Sequence, residues 1–212
     1  NHILIKRIQM ITKKMFFKKC SILVMLLSMS YMNAQNFDIN LLRDINIHRN
    51  KSLDHAFETI TNTAIPISIA TPVLIYSVGL IKKDSLTKKQ AIYIGETFLA
   101  SAFVTIALKD IIKRNRPYVT YPEIEPHAVE GSYSMPSGHT SSVFATATAL
   151  SIAYPKWYII APSFAWASAV GYSRMHLGVH YPSDVFVGAI LGSGSAYLTH
   201  KANKWLNKRK HN

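Results

Sequence analysis

Five apolar segments constrain this 212-residue chain more than any other feature: residues 64–81, 91–112, 139–154, 157–172 and 185–199. Four of the five contain no Asp, Glu, Lys or Arg. A helix of a soluble bundle keeps a polar face for water, whereas these segments are apolar or small nearly all round, so they belong in lipid or in a protein interior. At 1.5 Å per residue they are about 23 to 33 Å long, a range that brackets the hydrocarbon core of a bilayer. The expected fold is all-α: an integral membrane bundle of five or six helices. In the last segment Gly188 and Gly192, with Ser193 and Ser195, offer the small surfaces on which membrane helices approach closely.

Charge orients these segments. The formal net charge is +13, and most of the 24 Lys and Arg residues fall in residues 1–19, in KKDSLTKK (82–89), at Lys156 and in KANKWLNKRK (201–210). A nucleic-acid binder gathers its cations into a patch beside readable groups, so no nucleic-acid partner is expected. Here each cluster borders an apolar segment, as cytoplasmic loops of membrane proteins do. With those clusters inside, the chain crosses at every segment, and residues 113–138 and 173–184 meet on the outer side. That outer loop is acidic, with Glu123, Glu125 and Glu130. The expected location is a bacterial-type inner membrane, with the polar loops facing the periplasm or exterior.

Ahead of the bundle, residues 15–35 read MFFKKCSILVMLLSMSYMNAQ. A basic start, an apolar run shorter than the roughly 20 residues of a span, and Ala34 before Gln35 predict a signal peptide within 1–34, or failing that a first anchor. The single cysteine, Cys20, has no partner for an intramolecular disulfide. Within 35–63, Phe37, Leu41, Leu42 and Ile45 recur at helical spacing among charged neighbours, which predicts an interfacial amphipathic helix over 37–57. Residues 64–200 form the embedded domain, and 201–212 a basic cytoplasmic tail.

Three polar stretches flank the apolar segments on the outer side. In KDIIKRNRP, Lys109 and Arg116 are seven residues apart, close to two helical turns, so both can leave one face and converge on an anion before Pro117 ends the helix. Lys113 lies near that face and Arg114 well off it; both are expected to be solvated or structural. In MPSGHTSS, Gly138 permits close backbone approach, and a helix opening at His139 aims free N–H groups outward, where phosphate binds readily. In SRMHLGVHYPSD, His180 and Asp184 stand four apart, so the carboxylate can fix the imidazole tautomer, while Arg174 adds a planar fork suited to phosphate oxygens. His127 and His176 are expected to be structural. Glu96 and Asp110, acids in or beside an apolar helix, pair or mark function.

Together these stretches read K-x6-RP (109–117), PSGH (136–139) and SR-x5-H-x3-D (173–184). In residue identity, order and spacing this resembles the type-2 phosphatidic acid phosphatase superfamily, in particular its membrane-bound branch. The resemblance implies a bundle whose active site sits at the outer membrane-facing end. It implies that His180 attacks phosphorus to give a phosphohistidine, that Asp184 holds its ring, and that His139 protonates the leaving oxygen and then activates water. Lys109, Arg116 and Arg174, with backbone N–H groups of Ser137 and Gly138, would hold the phosphate oxygens, with no metal and no cofactor.

A site at the membrane surface takes a headgroup while the chain stays in the bilayer, so the substrate expected is a lipid phosphate or diphosphate. Undecaprenyl diphosphate, phosphatidylglycerol phosphate, phosphatidate and lipid A all fit. The alternatives are a soluble secreted acid phosphatase of the same superfamily, a vanadium-dependent haloperoxidase, and a non-catalytic lipid-binding membrane protein.

Overall fold

The computed structural model describes residues 36–209, so the expected signal peptide and Cys20 lie outside the described residues. The chain divides into two compact units, residues 1–40 and 41–212. Of the first, the described residues 36–40 are helical. The second opens with helical residues 41–46 (α1), a 3-10 turn at Lys51–Leu53 and α2 (Asp54–Asn62). Then come α3 (Ala64–Ile81), α4 (Ser85–Ile112), the one-turn α5 (Pro117–Thr120), α6 (Gly138–Ala153), α7 (Trp157–His176) and α8 (Pro182–Arg209).

Each apolar segment of the sequence falls on one of the five long helices, with only Tyr154 beyond its helix end, and three of the helices run further where capping or polar residues carry them on. Asp84 starts α4 six residues before the apolar run: its carboxylate accepts from the Leu86 amide at 2.9 Å and from the Thr87 hydroxyl at 2.5 Å. The expected single helix over 37–57 is interrupted instead. Buried Asn46 donates to the carbonyls of Glu125 (3.2 Å) and His176 (2.9 Å) and accepts from the Glu125 amide (3.0 Å). These bonds tie the end of α1 to the outer loop, and the Asn50 side chain then caps a fresh turn at Ser52.

The second unit is built inside out. Helix α6 packs against α3, α4, α7 and α8, and it buries small residues: Thr140, Ser141, Ser142, Ala145, Thr146, Ala147 and Ala149 around a single Val143. Large apolar side chains face outward instead, among them Leu74 on α3, Leu99 and Phe103 on α4, and Phe186, Ile190 and Leu198 on α8. In the most apolar stretch of the span running through α3, only 17% of residues are buried. Such a surface suits lipid, where close backbone packing and interhelical hydrogen bonds replace the hydrophobic effect between helices. The bonds are present: Thr105 to Ser141 at 2.7 Å joins α4 to α6, and Thr148 to Ser193 at 3.1 Å joins α6 to α8.

Glycine decides how closely α8 lies on α6. A Cβ at Gly192 would come within 2.2 Å of the Ser141 carbonyl oxygen, and one at Gly188 within 2.8 Å of the Ser137 carbonyl oxygen. The two glycines are one turn apart and form a flat strip with no side chain to hold the helices apart. At one end of the bundle Gln90 donates to the Ala153 carbonyl and Tyr93 to the Ala196 carbonyl. The other end gathers the close of α4, the opening of α6, the close of α7 and the opening of α8, where the three polar stretches lie.

Candidate active site

Lys109 occupies the last turn of α4, and the helix stops three residues later. Lys113 takes up a left-handed C-cap (φ 50°, ψ 38°) and returns its amide to the Lys109 carbonyl. Arg116 therefore does not sit two turns below Lys109 on one helix. It precedes Pro117, which restricts it to extended backbone (φ −70°, ψ 156°) and opens α5 as a first-turn proline instead of ending α4. The two cations still converge, through a loop and not through helical register. Lys109 donates to the carbonyls of Tyr133 and Ser134. Arg116, 3% exposed, donates to Ser132, to the Val179 carbonyl (2.8 Å) and to Glu130 (3.1 Å), and its Nη1 lies 3.2 Å from Nε2 of His180.

His180 stands in the turn between α7 and α8. Gly178 (φ 70°) makes that turn possible, because a Cβ there would lie 2.7 Å from the Glu125 carbonyl oxygen and 2.8 Å from Nδ2 of Asn46. Burial is the chief influence on the imidazole and pushes its pKa down to about 3 against the pull of Asp184. The ring is thus neutral at ordinary pH. A guanidinium can only donate, so Nε2 beside Arg116 carries the lone pair and Nδ1 the proton, aimed at Asp184 Oδ2, 3.4 Å away.

Asp184, wholly buried in the first turn of α8, is heavily held. Its Oδ2 accepts from the Ser134 hydroxyl and the Tyr181 amide, and its Oδ1 accepts from Nη1 of Arg114 at 2.7 Å. Arg114 also lies over the Tyr181 ring at 3.7 Å. The expectation that Arg114 is solvated or merely structural rested on helical register, and the break at Ile112 removes that register. Behind the site, Arg174 is 3% exposed, donates to Thr61 (3.0 Å) and Glu130, and has a buried Nε with no acceptor among the described residues.

The opening of α6 supplies Gly138 and His139. Ser137 is the N-cap, and its amide donates to the Asp184 carbonyl at 3.0 Å. The expected phosphate-binding amide of Ser137 is thereby engaged, which leaves the leading N–H groups of Gly138 and His139 at the helix start. Lys109, Arg116, Gly138, His139 and His180 all line one cavity of about 800 Å³, with Asp110 and Glu130. Ser137, Arg174 and Asp184 stand behind that wall. The lining also includes apolar side chains, Ile65, Ala102 and Ile106, from the lipid-facing helices α3 and α4.

The family description PAP2 superfamily matches residues 90–208, which include all three motifs. The chain belongs to the PAP2 superfamily. It is 37% identical over 114 residues to an undecaprenyl-diphosphatase of Sulfolobus acidocaldarius, covering 50% of this chain and 53% of that one. The chain spans about half the length of the first curated relatives it matches. Its fold matches the crystal structure of LpxE from Aquifex aeolicus with a TM-score of 0.69 at 26% identity, over 78% of this chain and 95% of that one. It also matches a transmembrane PAP2-type phosphatidylglycerolphosphate phosphatase of Bacillus subtilis, with a TM-score of 0.68 at 23% identity, over 81% and 87%. The all-helical bundle is thus a PAP2 membrane fold.

Within this PAP2 chain several residues take places that the sequence alone did not assign. Arg114 and Ser134 grip Asp184, and Glu130 bridges two arginines. His176 pairs with Asp54 at 2.9 Å and stacks on Phe57, and His127 reaches Glu58 at 3.2 Å, both as structural ties. Glu96 accepts from Asn203 at 2.6 Å, far from the site, whereas Asp110 joins the cavity wall. No local spacing announces Arg114 or Glu130, because each reaches the site from non-helical backbone.

Proposed function

We propose that the chain removes phosphate from a membrane lipid phosphate or diphosphate, through a phosphohistidine at His180 and without a metal ion. The observation that carries this reading is the placement of His180: its Nδ1 faces Asp184 at 3.4 Å, its Nε2 faces Arg116 at 3.2 Å, and it shares the cavity with Arg116 and His139. Nε2 attacks phosphorus as the bond to the lipid oxygen breaks, and His139 gives that oxygen its proton. Water then adds to phosphorus, loses a proton to His139, and the P–N bond breaks to restore His180. Lys109, Arg116 and Arg174 hold the non-bridging oxygens and neutralise their charge, which is most of what phosphoryl transfer requires of a protein. The buried Nε of Arg174 is a donor that a phosphate oxygen would satisfy.

The lipid nature of the substrate rests on the cavity's mixed lining. Beside the cations and histidines it carries Ile65, Ala102 and Ile106, of which Ile65 and Ile106 are also exposed on the apolar helix surface. A headgroup fits beside the cations while its chain stays beside these apolar side chains. The test is phosphate release from a panel of lipid monophosphates and diphosphates by purified protein in detergent with a chelator present. Turnover of at least one lipid is expected, with vanadate inhibiting and His180→Ala abolishing it. Activity that vanishes in chelator and returns with a divalent metal would sink the proposed chemistry.

A further inference from the structure

Glu130 occupies an unusual position for an acid in a site built to hold anions. Its Oε2 accepts from Nη2 of Arg116 at 3.1 Å, and its Oε1 accepts from Nη2 of Arg174. The turn that carries it is braced by Tyr118, whose hydroxyl donates to the Glu130 carbonyl (3.2 Å) and accepts from the Glu130 amide (3.1 Å). Arg116 and Arg174 are each 3% exposed, too deep for water to neutralise, so an empty site needs an anion of its own. One carboxylate, with an oxygen to each guanidinium, meets that need as two oxygens of a phosphate would.

We propose that Glu130 is the resident anion of the phosphate cradle, that the substrate's phosphate must displace it, and that this displacement selects terminal phosphates over phosphodiesters. The proposal rests on reading Arg116 and Arg174 as phosphate ligands. Phosphate and carboxylate carry like charges and compete for the same Nη2 donors, so the two exclude each other. A terminal phosphate brings up to two negative charges and three free oxygens, and it replaces both lost pairs with a surplus. A phosphodiester brings one charge and two free oxygens, which only replaces like with like. The bilayer beside this site presents phosphodiester headgroups at high local concentration, and an unguarded pair of arginines would hold them. Glu130 acts as a specificity-determining residue, not as a group in the bond-making steps.

Glu130→Gln keeps the shape and removes the charge. With the full chain in detergent micelles, inorganic phosphate binding is measured calorimetrically, so that no turnover is needed. Binding is expected to tighten about tenfold or more, because the open cradle no longer has to be won from a competing state. Phosphatidylglycerol added to the micelles should leave wild-type hydrolysis of a soluble phosphate ester unaffected and should inhibit E130Q. Phosphate binding that is unchanged or weaker in E130Q, without inhibition by the diester, overturns the proposal and makes Glu130 a brace for the arginines. Arg116→Ala separates the two ways of failing: undiminished phosphate binding there removes the cradle itself. If E130Q does not fold, Glu130→Asp keeps the charge with a shorter reach, and it should tighten phosphate binding by a smaller factor. No tightening in E130D then overturns the proposal.

Discussion

At the scale of single residues the site is a set of paired charges, and Arg114 is the pairing that local spacing did not reveal. Asp184 turns His180 only if its own carboxylate is fixed, and Arg114 fixes the oxygen that His180 does not face, at 2.7 Å. Its flat guanidinium also lies on the Tyr181 ring, which an ammonium group would not match. In the proposed mechanism Arg114 is therefore a positioning residue. Arg114→Ala is expected to lower kcat on a soluble phosphate ester by about 10- to 100-fold, the scale of losing an outer hydrogen-bond partner of a working histidine, with KM changed far less. Arg114→Lys should recover only part of that loss. In a cycle with Asp184→Asn the two losses should fall well short of additive, since both act through one carboxylate. Fully additive losses would show that Arg114 acts elsewhere.

At the scale of elements, the proposed function depends on how closely helices of small residues approach. Helix α8 delivers Asp184, and α6 delivers His139, so the α6–α8 spacing sets the geometry between them. Gly192 has no room: a methyl group there would lie 2.2 Å from the Ser141 carbonyl oxygen and 2.7 Å from the Ala145 nitrogen, both backbone atoms that cannot swing aside. At Gly194, on the same helix, a methyl group would meet nothing within 4 Å. Gly192→Ala is expected to destabilise the protein by about 1–3 kcal/mol, the usual cost of overpacking, while Gly194→Ala changes stability little. Thermal unfolding in detergent distinguishes them, and equal melting temperatures would mean that α8 does not rest on this contact. The apolar character of α3 and α4 was plain in the sequence, but which face met lipid was not, because their apolar residues run nearly all round.

At the scale of the whole molecule, the expected orientation rests on lysines gathered at one end of the bundle and the proposed site at the other. The turns at 82–84 and 154–156 and the close of α8 lie at the lysine-rich end, where Gln90 meets Ala153. A reporter active only outside the cytoplasm, fused within 120–132, should be active, and one fused at 84–87 silent. The reverse pattern would put the site in the cytoplasm. The sequence by itself determined the all-helical membrane class, because apolar segments of this length leave little else. It also determined the family, because three motifs with fixed internal spacing carry it. Local spacing placed His180 and Asp184 four apart at the start of α8, and the turn that leads into that helix brings them within 3.4 Å. Only the tertiary structure decided that Arg116 meets Lys109 through a broken helix, that the Ser137 amide belongs to the Asp184 carbonyl, and that Arg114 and Glu130 complete the site. Each of these depends on loop backbone or on partners tens of residues away, where no 3.6-residue period relates position in the chain to direction in space.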